Sequence, residues 1–348
     1  MEQAAEILTV VGARPQFIKA APVSRALLAA GLTECLVHTG QHFDELMSEV
    51  FFDELEIAKP KYNLEINSLG HGAMTGRMLE RLEEVLLAER PRLVLIYGDT
   101  NSTLAAALAA CKLGIPIAHV EAGLRSFNRR MPEELNRVVA DHLSTLLFCP
   151  TVAAVKNLAA EGIEARVHLV GDVMFDATLT AVERAKERSR ILESLGLEPQ
   201  AYAVATVHRA ENTDDASRFT QIVAWLEQSA RATPIVMPVH PRTRKLMIER
   251  GIVPAGVRLM DPVGHMDMTQ LVHHATAVFT DSGGLQKEAY FHRVPCVTLR
   301  EETEWVETVE AGWNRLWTGP DYHARRDIAD YGSGNAATSI AEVVKLAI

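Results

Sequence analysis

Short apolar runs alternate with longer stretches of helical spacing along the first half of the chain. The apolar runs are Ile7–Val11, Leu36–Val37, Leu93–Tyr97, Ile117–Val120, Leu146–Phe148 and Val167–Val170. The stretches of helical spacing between them are Met78–Ala88, Leu104–Leu113 and Leu135–Leu143. Strands that are apolar on both faces and alternate with helices form parallel sheets with both faces covered. The pattern therefore predicts a doubly wound α/β domain.

A second series of apolar runs follows the polar stretch Arg184–Gln200. Its members are Ala203–Val207, Ile235–Val239, Val257–Met260, Ala277–Thr280 and Val294–Leu299. A chain of 348 residues also favours two domains, because single hydrophobic cores rarely grow to that size. We therefore predict an α/β fold with two doubly wound, Rossmann-like domains facing a cleft. Residues 1–170 form the first domain, residues 171–335 the second, and residues 336–348 a last helix that packs on one of them.

Composition narrows the classes of function. The formal net charge is −10 and the pI is about 5.7, which argues against a nucleic-acid-binding protein. No stretch approaches the length of a membrane span, and the chain begins without a signal-peptide pattern. The four cysteines are scattered beside apolar runs, as expected of buried free thiols in a reducing compartment. We therefore expect a cytoplasmic protein that is not associated with membranes.

Three acidic residues stand where strands are expected to end or helices to begin. Asp99 follows Leu93–Tyr97, Glu121 follows Ile117–Val120, and Glu133 follows Pro132. Open parallel sheets bind ligands at the carboxyl ends of their strands. Asp99 and Glu133 also fit the role of helix caps or dipole partners, whereas Glu121 directly follows a buried strand. Several carboxylates near arginine and histidine suit proton transfer.

Donors for an anion follow other runs. Arg14 and Lys19 come after the first strand, and His208 and His240 follow two strands of the second series. The turn Ser282-Gly283-Gly284 separates an apolar run from a helix, whose first N–H groups and dipole favour an anion. An ordinary helix capped by Ser282 is the alternative interpretation.

This number of donors suits two phosphates. Glu288, about one turn into the helix after Gly284, is placed to accept hydrogen bonds from ribose hydroxyls, so a nucleoside diphosphate is indicated. A nicotinamide cofactor is not expected, because the nearest glycine motif, Gly70–Gly76, has one residue too many and follows no strand. The pair His273-His274 lacks a partner at metal-ligand spacing, so no metal is expected.

Seven short motifs occur in an order that resembles the non-hydrolysing UDP-N-acetylglucosamine 2-epimerases over nearly the whole chain. They are Gly12–Pro15, Gly40–His42, Tyr97–Thr100, His119–Arg125, Met131–Glu134, Pro238–Pro241 and Thr280–Gly284. The resemblance implies a GT-B-like fold with the active site in the cleft and with the last helix crossing back to the first domain. It also implies a UDP-sugar substrate, a homodimer and no cofactor.

The resemblance further implies a reaction. UDP-GlcNAc and UDP-ManNAc are interconverted by anti elimination of UDP, through a 2-acetamidoglucal intermediate to which UDP adds back, in the service of cell-envelope polysaccharide synthesis. The catalytic positions implied are Asp99, Glu121, Glu133 and His208. The substrate-binding positions implied are Arg14, Lys19, Arg137, His240, Val263, Met268, Ser282, Gly283, Gly284 and Glu288. Which carboxylate removes the C2 proton stays open.

The chain departs from many members of that family at three places. Trp305 replaces an arginine that can touch the ligand, the segment Ser68–Gly72 lacks an Arg-Gln pair associated with allosteric UDP-GlcNAc, and the loop after Arg125 is shorter. These features look more like the epimerases of UDP-2,3-diacetamido-2,3-dideoxyglucuronate, whose uronate could use Arg125, Arg129 or Arg130. A GT-B glycosyltransferase and an inactive UDP-sugar sensor are further alternatives.

Overall fold

The computed structural model describes residues 5–41, 52, 54–55 and 57–348, and the chain divides into two compact units. The first unit runs to Ala177 and adds Ala329–Ile348, and the second unit is Thr178–Ile328. The sequence suggested boundaries at 170 and 335. The carboxylate of Asp176 explains the later first boundary, because it accepts hydrogen bonds from the N–H groups of Ala336 (3.3 Å) and Ala337 (2.9 Å) within the same unit.

The first unit is built on a seven-stranded parallel sheet in the order β3-β2-β1-β4-β5-β6-β7. The strands are β1 Ile7–Val11, β2 Glu34–His38, β3 Tyr62–Asn63, β4 Leu93–Tyr97, β5 Ile117–Val120, β6 Leu146–Cys149 and β7 Val167–Leu169. Every residue of β1, β4, β5 and β6 is buried, as the continuous apolar runs predict. The strand order reverses between β1 and β4, which makes their carboxyl ends the expected ligand position.

Helices connect these strands. Within the described residues they are Arg14–Ala29, His71–Glu89, Asn101–Lys112, Pro132–Leu143 and Val152–Ala160, and helix Val173–Arg188 follows the last strand and continues beyond Ala177 into the second unit. Helix Asn101–Lys112 packs against helices His71–Glu89 and Pro132–Leu143, and its run of buried alanines allows the close approach. Helix Arg14–Ala29 begins with Pro15 in its first turn, where a missing N–H costs nothing.

The second unit repeats the architecture with six parallel strands in the order β10-β9-β8-β11-β12-β13. The strands are β8 Ala203–Thr206, β9 Ile235–Pro238, β10 Val257–Met260, β11 Ala277–Thr280, β12 Cys296–Thr298 and β13 Asn314–Leu316. The helices are Ile191–Leu195, Ala210–Thr213, Ala216–Ala230, Pro241–Glu249, His265–His273, Gly283–Phe291 and Val306–Glu310. The order reverses between β8 and β11. The prediction of two doubly wound α/β units is confirmed.

The polar stretch 184–200, for which the sequence predicted no element, is largely helical, because Val173–Arg188 continues into it and Ile191–Leu195 follows. One detail differs from the sequence-based expectation. Cys111 is exposed on the last turn of its helix, although Cys35, Cys149 and Cys296 are buried free thiols as expected. His42, the last residue of one motif, lies outside the described residues. No helix among the described residues is long and apolar enough to cross a bilayer.

The last helix, Ala336–Ala347, belongs to the first unit. Its buried face includes Ile340, Ala341 and Val344, and it packs against helix Arg14–Ala29. The Lys345 ammonium donates to the carbonyl oxygen of Ala30 at 2.7 Å. Because a cation there meets a carbonyl at the end of helix Arg14–Ala29, the contact also favours the dipole of that helix.

We predict that Gly12→Ala destabilises the first unit. A Cβ at Gly12 would lie 2.1 Å from Ser102 Oγ and 2.3 Å from Thr39 Oγ1, inside the packed end of β1. Overpacking of this kind costs about 1–3 kcal/mol. The measurement is the free energy of unfolding from urea denaturation followed by circular dichroism.

Gly76→Ala is the matched control. Gly76 lies inside helix His71–Glu89 with nothing within 4 Å of an added Cβ, so it should gain about 0.5–1 kcal/mol. Equal effects of the two substitutions would contradict the close packing at Gly12.

Candidate active site

A buried glutamine, Gln16, holds the first turn after β1. Its side-chain oxygen accepts hydrogen bonds from the N–H groups of Gly12 (2.8 Å) and Ala13 (3.1 Å). Its amide nitrogen donates to the carbonyl oxygen of Tyr97 (2.7 Å), the last residue of β4. One side chain therefore ties together the two strand ends at which the sheet order reverses. Gln16 was not expected from the sequence, although a glutamine three residues after an uncapped helix start is a known signal.

Glu121 directly follows β5, and its carboxylate pairs with the ammonium of Lys19. The two side chains are only 5% and 15% exposed. The backbone of Glu121 has φ +68°, a left-handed conformation that costs a non-glycine residue about 1–3 kcal/mol. A Cβ on Gly98 would lie 3.3 Å from Glu121 Oε2, so the carboxylate packs against this turn. A buried carboxylate in a strained backbone with a cationic partner is a functional-site candidate.

Asp99 follows β4 and is held by Arg137. The guanidinium contacts Asp99 Oδ2 at 2.7 and 3.0 Å, and it also donates to Glu134 Oε2 at 2.8 Å. Burial by itself lowers the pKa of Arg137, but the two carboxylates raise the pKa by more than burial lowers it. The net shift is therefore upward. Arg137, which the resemblance implies as a substrate contact, is thus engaged by two carboxylates of its own unit.

The two adjacent glutamates at the start of helix Pro132–Leu143 differ sharply. The side chain of Glu133, an expected catalytic position, is exposed and makes no hydrogen bond or ion pair within the described residues. Glu134 is buried and accepts hydrogen bonds from the N–H groups of Ser126 (2.8 Å) and Phe127 (2.9 Å). Burial raises the pKa of Glu134, but these bonds and Arg137 outweigh it and hold the pKa below its usual value.

The loop after β5 separates its arginines into buried and exposed ones. Arg125 is 1% exposed and pairs with Asp141 and Glu161, so its guanidinium is not presented to a ligand. The side chains of Arg129 and Arg130 are exposed, and neither forms an ion pair with any described residue. Arg14, another expected contact, is the half-buried first residue of helix Arg14–Ala29.

In the second unit, Asp281 organises the carboxyl end of the sheet. Its fully buried carboxylate accepts hydrogen bonds from the N–H groups of His208 (2.9 Å) and Arg209 (2.9 Å) and from the Asn212 amide (3.0 Å). His208 Nδ1 lies 3.2 Å from the same carboxylate. Asp281 was not among the expected site residues. Its place directly after β11, opposite His208 after β8, was the available signal.

The His208 ring lies close to both Asp281 and His240. Burial lowers the pKa of His208, the Asp281 carboxylate opposes that shift, and His240 and Arg209 add to it, with a net lowering. The His208 and His240 rings are 5.9 Å apart between centroids. His240 is exposed at the start of helix Pro241–Glu249, where its Nδ1 accepts a weak bond of 3.3 Å from Arg242 N–H. The structure therefore brings these two histidines, both of them expected contacts, close to each other.

The turn Ser282-Gly283-Gly284 begins helix Gly283–Phe291. Ser282 is the N-cap, although its hydroxyl accepts only a long bond of 3.5 Å from Leu285 N–H. A Cβ on Gly283 would lie 2.2 Å from Glu304 Oε1. At Gly284, by contrast, the nearest heavy atom to an added Cβ is Ser282 Oγ at 4.0 Å. The helix start is therefore open at Gly284 and covered at Gly283.

The remaining expected contacts lie near the same end of the second sheet. Glu288 is half-buried within helix Gly283–Phe291. Val263 and Met268 follow β10 and pack against the unit's core. Trp305, the departure noted in the sequence, places its Nε1 3.5 Å from where a Cβ on Gly283 would sit, and the Lys287 ammonium lies 4.2 Å from its ring centroid. Among the described residues, no group of three or more His, Cys, Asp or Glu side chains is arranged to hold a metal ion.

Comparison with known proteins gives a consistent result. A family model described as UDP-N-acetylglucosamine 2-epimerase matches residues 25–345. The chain is 50% identical over 355 residues to the UDP-2,3-diacetamido-2,3-dideoxy-D-glucuronate 2-epimerase of Pseudomonas aeruginosa, covering 97% of this chain and 98% of that protein. It is 49% identical over 358 residues to a UDP-N-acetylglucosamine 2-epimerase homolog of Methanococcus maripaludis, covering 98% and 99% of the two chains.

A solved structure is similar over the same length. The crystal structure of Methanocaldococcus jannaschii UDP-GlcNAc 2-epimerase in complex with UDP-GlcNAc and UDP has a TM-score of 0.87 and 39% sequence identity. The match covers 98% of this chain and 99% of that one. On the family model, the identities and the shared fold, the chain belongs to the UDP-N-acetylglucosamine 2-epimerase family.

Proposed function

We propose that this protein is a non-hydrolysing 2-epimerase that interconverts UDP-GlcNAc and UDP-ManNAc. The observation that carries the proposal is the buried Glu121–Lys19 pair at the carboxyl end of a parallel sheet, in a chain of an epimerase family. The relative from Methanocaldococcus jannaschii, crystallised with UDP-GlcNAc and UDP, supports a UDP-sugar as the ligand.

The chemistry requires a base and a stabilised leaving group. The C2 proton of the sugar is not adjacent to a carbonyl, so it is weakly acidic until the C1–O bond to UDP begins to break. In the elimination, the C1–O electron pair leaves with UDP, the C2–H pair forms the C1=C2 double bond, and the proton goes to the base. Return of a proton to the opposite face of C2, with addition of UDP to C1, completes the inversion. Only interactions that strengthen as charge develops accelerate these steps.

Glu121 suits the role of the C2 base better than the other two carboxylates. Its position is fixed by a left-handed backbone and by the turn at Gly98, and Lys19 offsets the charge of its carboxylate. Asp99 is held by Arg137, and Glu133 is exposed. We assign Asp99 and Glu133 to contacts with the sugar or to stabilising its positive charge, which forms as UDP departs.

The second unit supplies the groups that suit UDP. The start of helix Gly283–Phe291 carries the positive end of the helix dipole, and Gly284 leaves its backbone open to a phosphate. His208 is oriented by Asp281 through Nδ1, which leaves Nε2 to exchange a proton with the diphosphate. A bound diphosphate raises the proton affinity of that ring by its negative charge. His240 extends the same set of donors, Glu288 suits the ribose, and Val263 with Met268 suits the uracil.

A second candidate substrate is UDP-2,3-diacetamido-2,3-dideoxyglucuronate. The relative that acts on this sugar is 50% identical to the chain over nearly its whole length. Arg129 and Arg130 have no ion-pair partner among the described residues, so they suit recognition of a uronate carboxylate, whereas Arg125 is already paired with Asp141 and Glu161. The elimination chemistry is the same for either sugar.

The proposal is tested by incubating the protein with each sugar nucleotide and following the anomeric and C2 protons by NMR. Formation of the 2-epimer from UDP-GlcNAc supports the first candidate, and selective turnover of the uronate supports the second. Turnover of neither sugar would sink the 2-epimerase proposal. Sugar transfer to an added acceptor would indicate a glycosyltransferase, and release of free ManNAc would indicate a hydrolysing enzyme.

We predict that Glu121→Gln lowers kcat by about 10²–10⁴-fold, the range that general acid–base catalysis contributes. The amide keeps the shape of the side chain but cannot take the C2 proton. UDP affinity, measured by isothermal titration calorimetry, should stay within about threefold of the wild-type value. A threefold change in Kd corresponds to roughly 0.65 kcal/mol. Glu164→Gln, at an exposed position, is the control and should keep full activity. Parallel losses of UDP affinity and kcat in folded Glu121→Gln would contradict the assignment.

We predict that Gly284→Ala weakens UDP binding without destabilising the protein. The added methyl meets only Ser282 Oγ at 4.0 Å, so the protein itself accommodates it. A phosphate lying over this backbone would overlap the methyl at a cost of about 1–3 kcal/mol, or roughly 5- to 150-fold in Kd. Titration calorimetry with UDP gives the Kd, and the thermal midpoint checks folding. Gly72→Ala, in open space in the other unit, is the matched control. Unchanged UDP affinity in Gly284→Ala would place the phosphate elsewhere.

A further inference from the structure

A network of hydrogen-bonded polar side chains lies beside the turns that flank Glu121. His119, fully buried on β5, donates from Nε2 to the carbonyl oxygen of Gly98 at 2.7 Å and from Nδ1 to Asp141 Oδ1 at 2.7 Å. The other oxygen of Asp141 accepts from the N–H of Gly123 at 3.0 Å. Two side chains therefore connect the turn that precedes Asp99 with the turn that follows Glu121.

This network ends in a pair of charged side chains, Arg125 and Glu161. Arg125 donates to Asp141 Oδ2 at 2.7 Å and to both carboxylate oxygens of Glu161 at 2.7 and 2.8 Å. Burial raises the pKa of Asp141, but the hydrogen bonds and charges of His119 and Arg125 outweigh it and hold the pKa below its usual value. Asp141 therefore stays an acceptor, which fixes Nδ1 of His119 as a donor.

The two connected turns restrict the backbone around Glu121. Gly98 has φ +60° and Gly123 has φ +81°, and Glu121 itself is in the left-handed region. A Cβ at Gly123 would lie 2.4 Å from the carbonyl oxygen of Ala154. A residue keeps such a conformation only where its surroundings over-determine it. The hydrogen bonds of His119 and Asp141 to the two turns supply that constraint.

We propose that His119 is a positioning residue, which holds the Gly98–Asp99 turn against the carboxylate of Glu121. The proposal rests on the function proposed above, in which Glu121 is the C2 base. His119 does not touch the reacting atoms. Its effect reaches them through the carbonyl of Gly98, because the same glycine packs against Glu121 Oε2 and precedes Asp99.

Two substitutions separate the two hydrogen bonds of the ring. In His119→Asn, the amide nitrogen is attached to Cγ, like Nδ1 of histidine, so it keeps the bond to Asp141 and loses the bond to Gly98. In His119→Gln, the amide nitrogen is one bond further out, like Nε2, so it keeps the bond to Gly98 and loses the bond to Asp141. Each variant retains one partner, and both remove the ring, so a purely structural role of His119 would affect them alike.

We predict that His119→Asn lowers kcat roughly 100-fold, the effect of displacing a reacting group by about 1 Å. The kcat of His119→Gln should be at least about tenfold higher than that of His119→Asn, a difference of about 1.4 kcal/mol. KM for the sugar nucleotide and Kd for UDP should change little in either variant. Equal kcat values for the two variants, or a lower value for His119→Gln, would overturn the proposal.

A readout independent of activity is amide hydrogen exchange followed by mass spectrometry. Peptides that include Gly98 and peptides that include Glu121 should exchange faster in His119→Asn than in His119→Gln. Peptides that begin at Asp141 should exchange faster in His119→Gln than in His119→Asn. Unchanged exchange at Gly98 in His119→Asn would also overturn the proposal. Turnover of neither sugar by the wild-type protein would refute the proposed function alone, and the exchange data would still decide whether His119 holds the turn.

Discussion

The carboxylates buried at the carboxyl ends of both sheets impose the main constraint on this molecule. A carboxylate that leaves water must be met by donors inside the protein, or its charge is too costly to bury. Asp281 meets this requirement with the N–H groups of His208 and Arg209, and Glu134 with those of Ser126 and Phe127. Because those donors belong to the backbone after a strand, satisfying the charge also fixes the loop. The site geometry follows from the same hydrogen bonds that make the fold possible.

The way in which a carboxylate is paired separates positioning groups from candidates for chemistry. Asp141 and Asp281 are tied by several donors, including backbone N–H groups, and their oxygens are engaged in holding turns. Glu121 pairs instead with an ammonium on a flexible side chain, and its own backbone is strained. A charge held by a lysine can be released or shared as a reaction proceeds, whereas a charge held by a network of backbone donors stays in place. This difference, together with family membership, supports Glu121 as the base and Asp281 as the group that orients His208.

Much of this arrangement was predictable from local sequence, and the rest depends on contacts between distant segments. The apolar runs located β1, β4 and β5 to the residue, because buried parallel strands are continuous in hydrophobicity. The edge strands Tyr62–Asn63 and Asn314–Leu316 were missed, since two or three half-polar residues give no periodic signal. Adjacent glutamates could not be told apart either. Glu133 and Glu134 differ by about 100° around the helix, and only the packed loop shows which one is buried. Gln16 also bonds to Tyr97, 81 residues away, and the buried Arg125 pairs with Asp141 and Glu161, 16 and 36 residues away, so these contacts lie beyond any local pattern.

In the proposed reaction, the C1–O bond to UDP breaks and forms again during epimerisation. The most direct test uses UDP-GlcNAc labelled with ¹⁸O in the oxygen that bridges C1 and phosphorus, with the position of the label followed by ³¹P NMR. If UDP is eliminated and adds back, its terminal phosphate can rotate, so the label should spread to the non-bridging positions of the recovered sugar nucleotides. A label that stays in the bridge while UDP-ManNAc accumulates would show that this bond was never broken, and would contradict the elimination account.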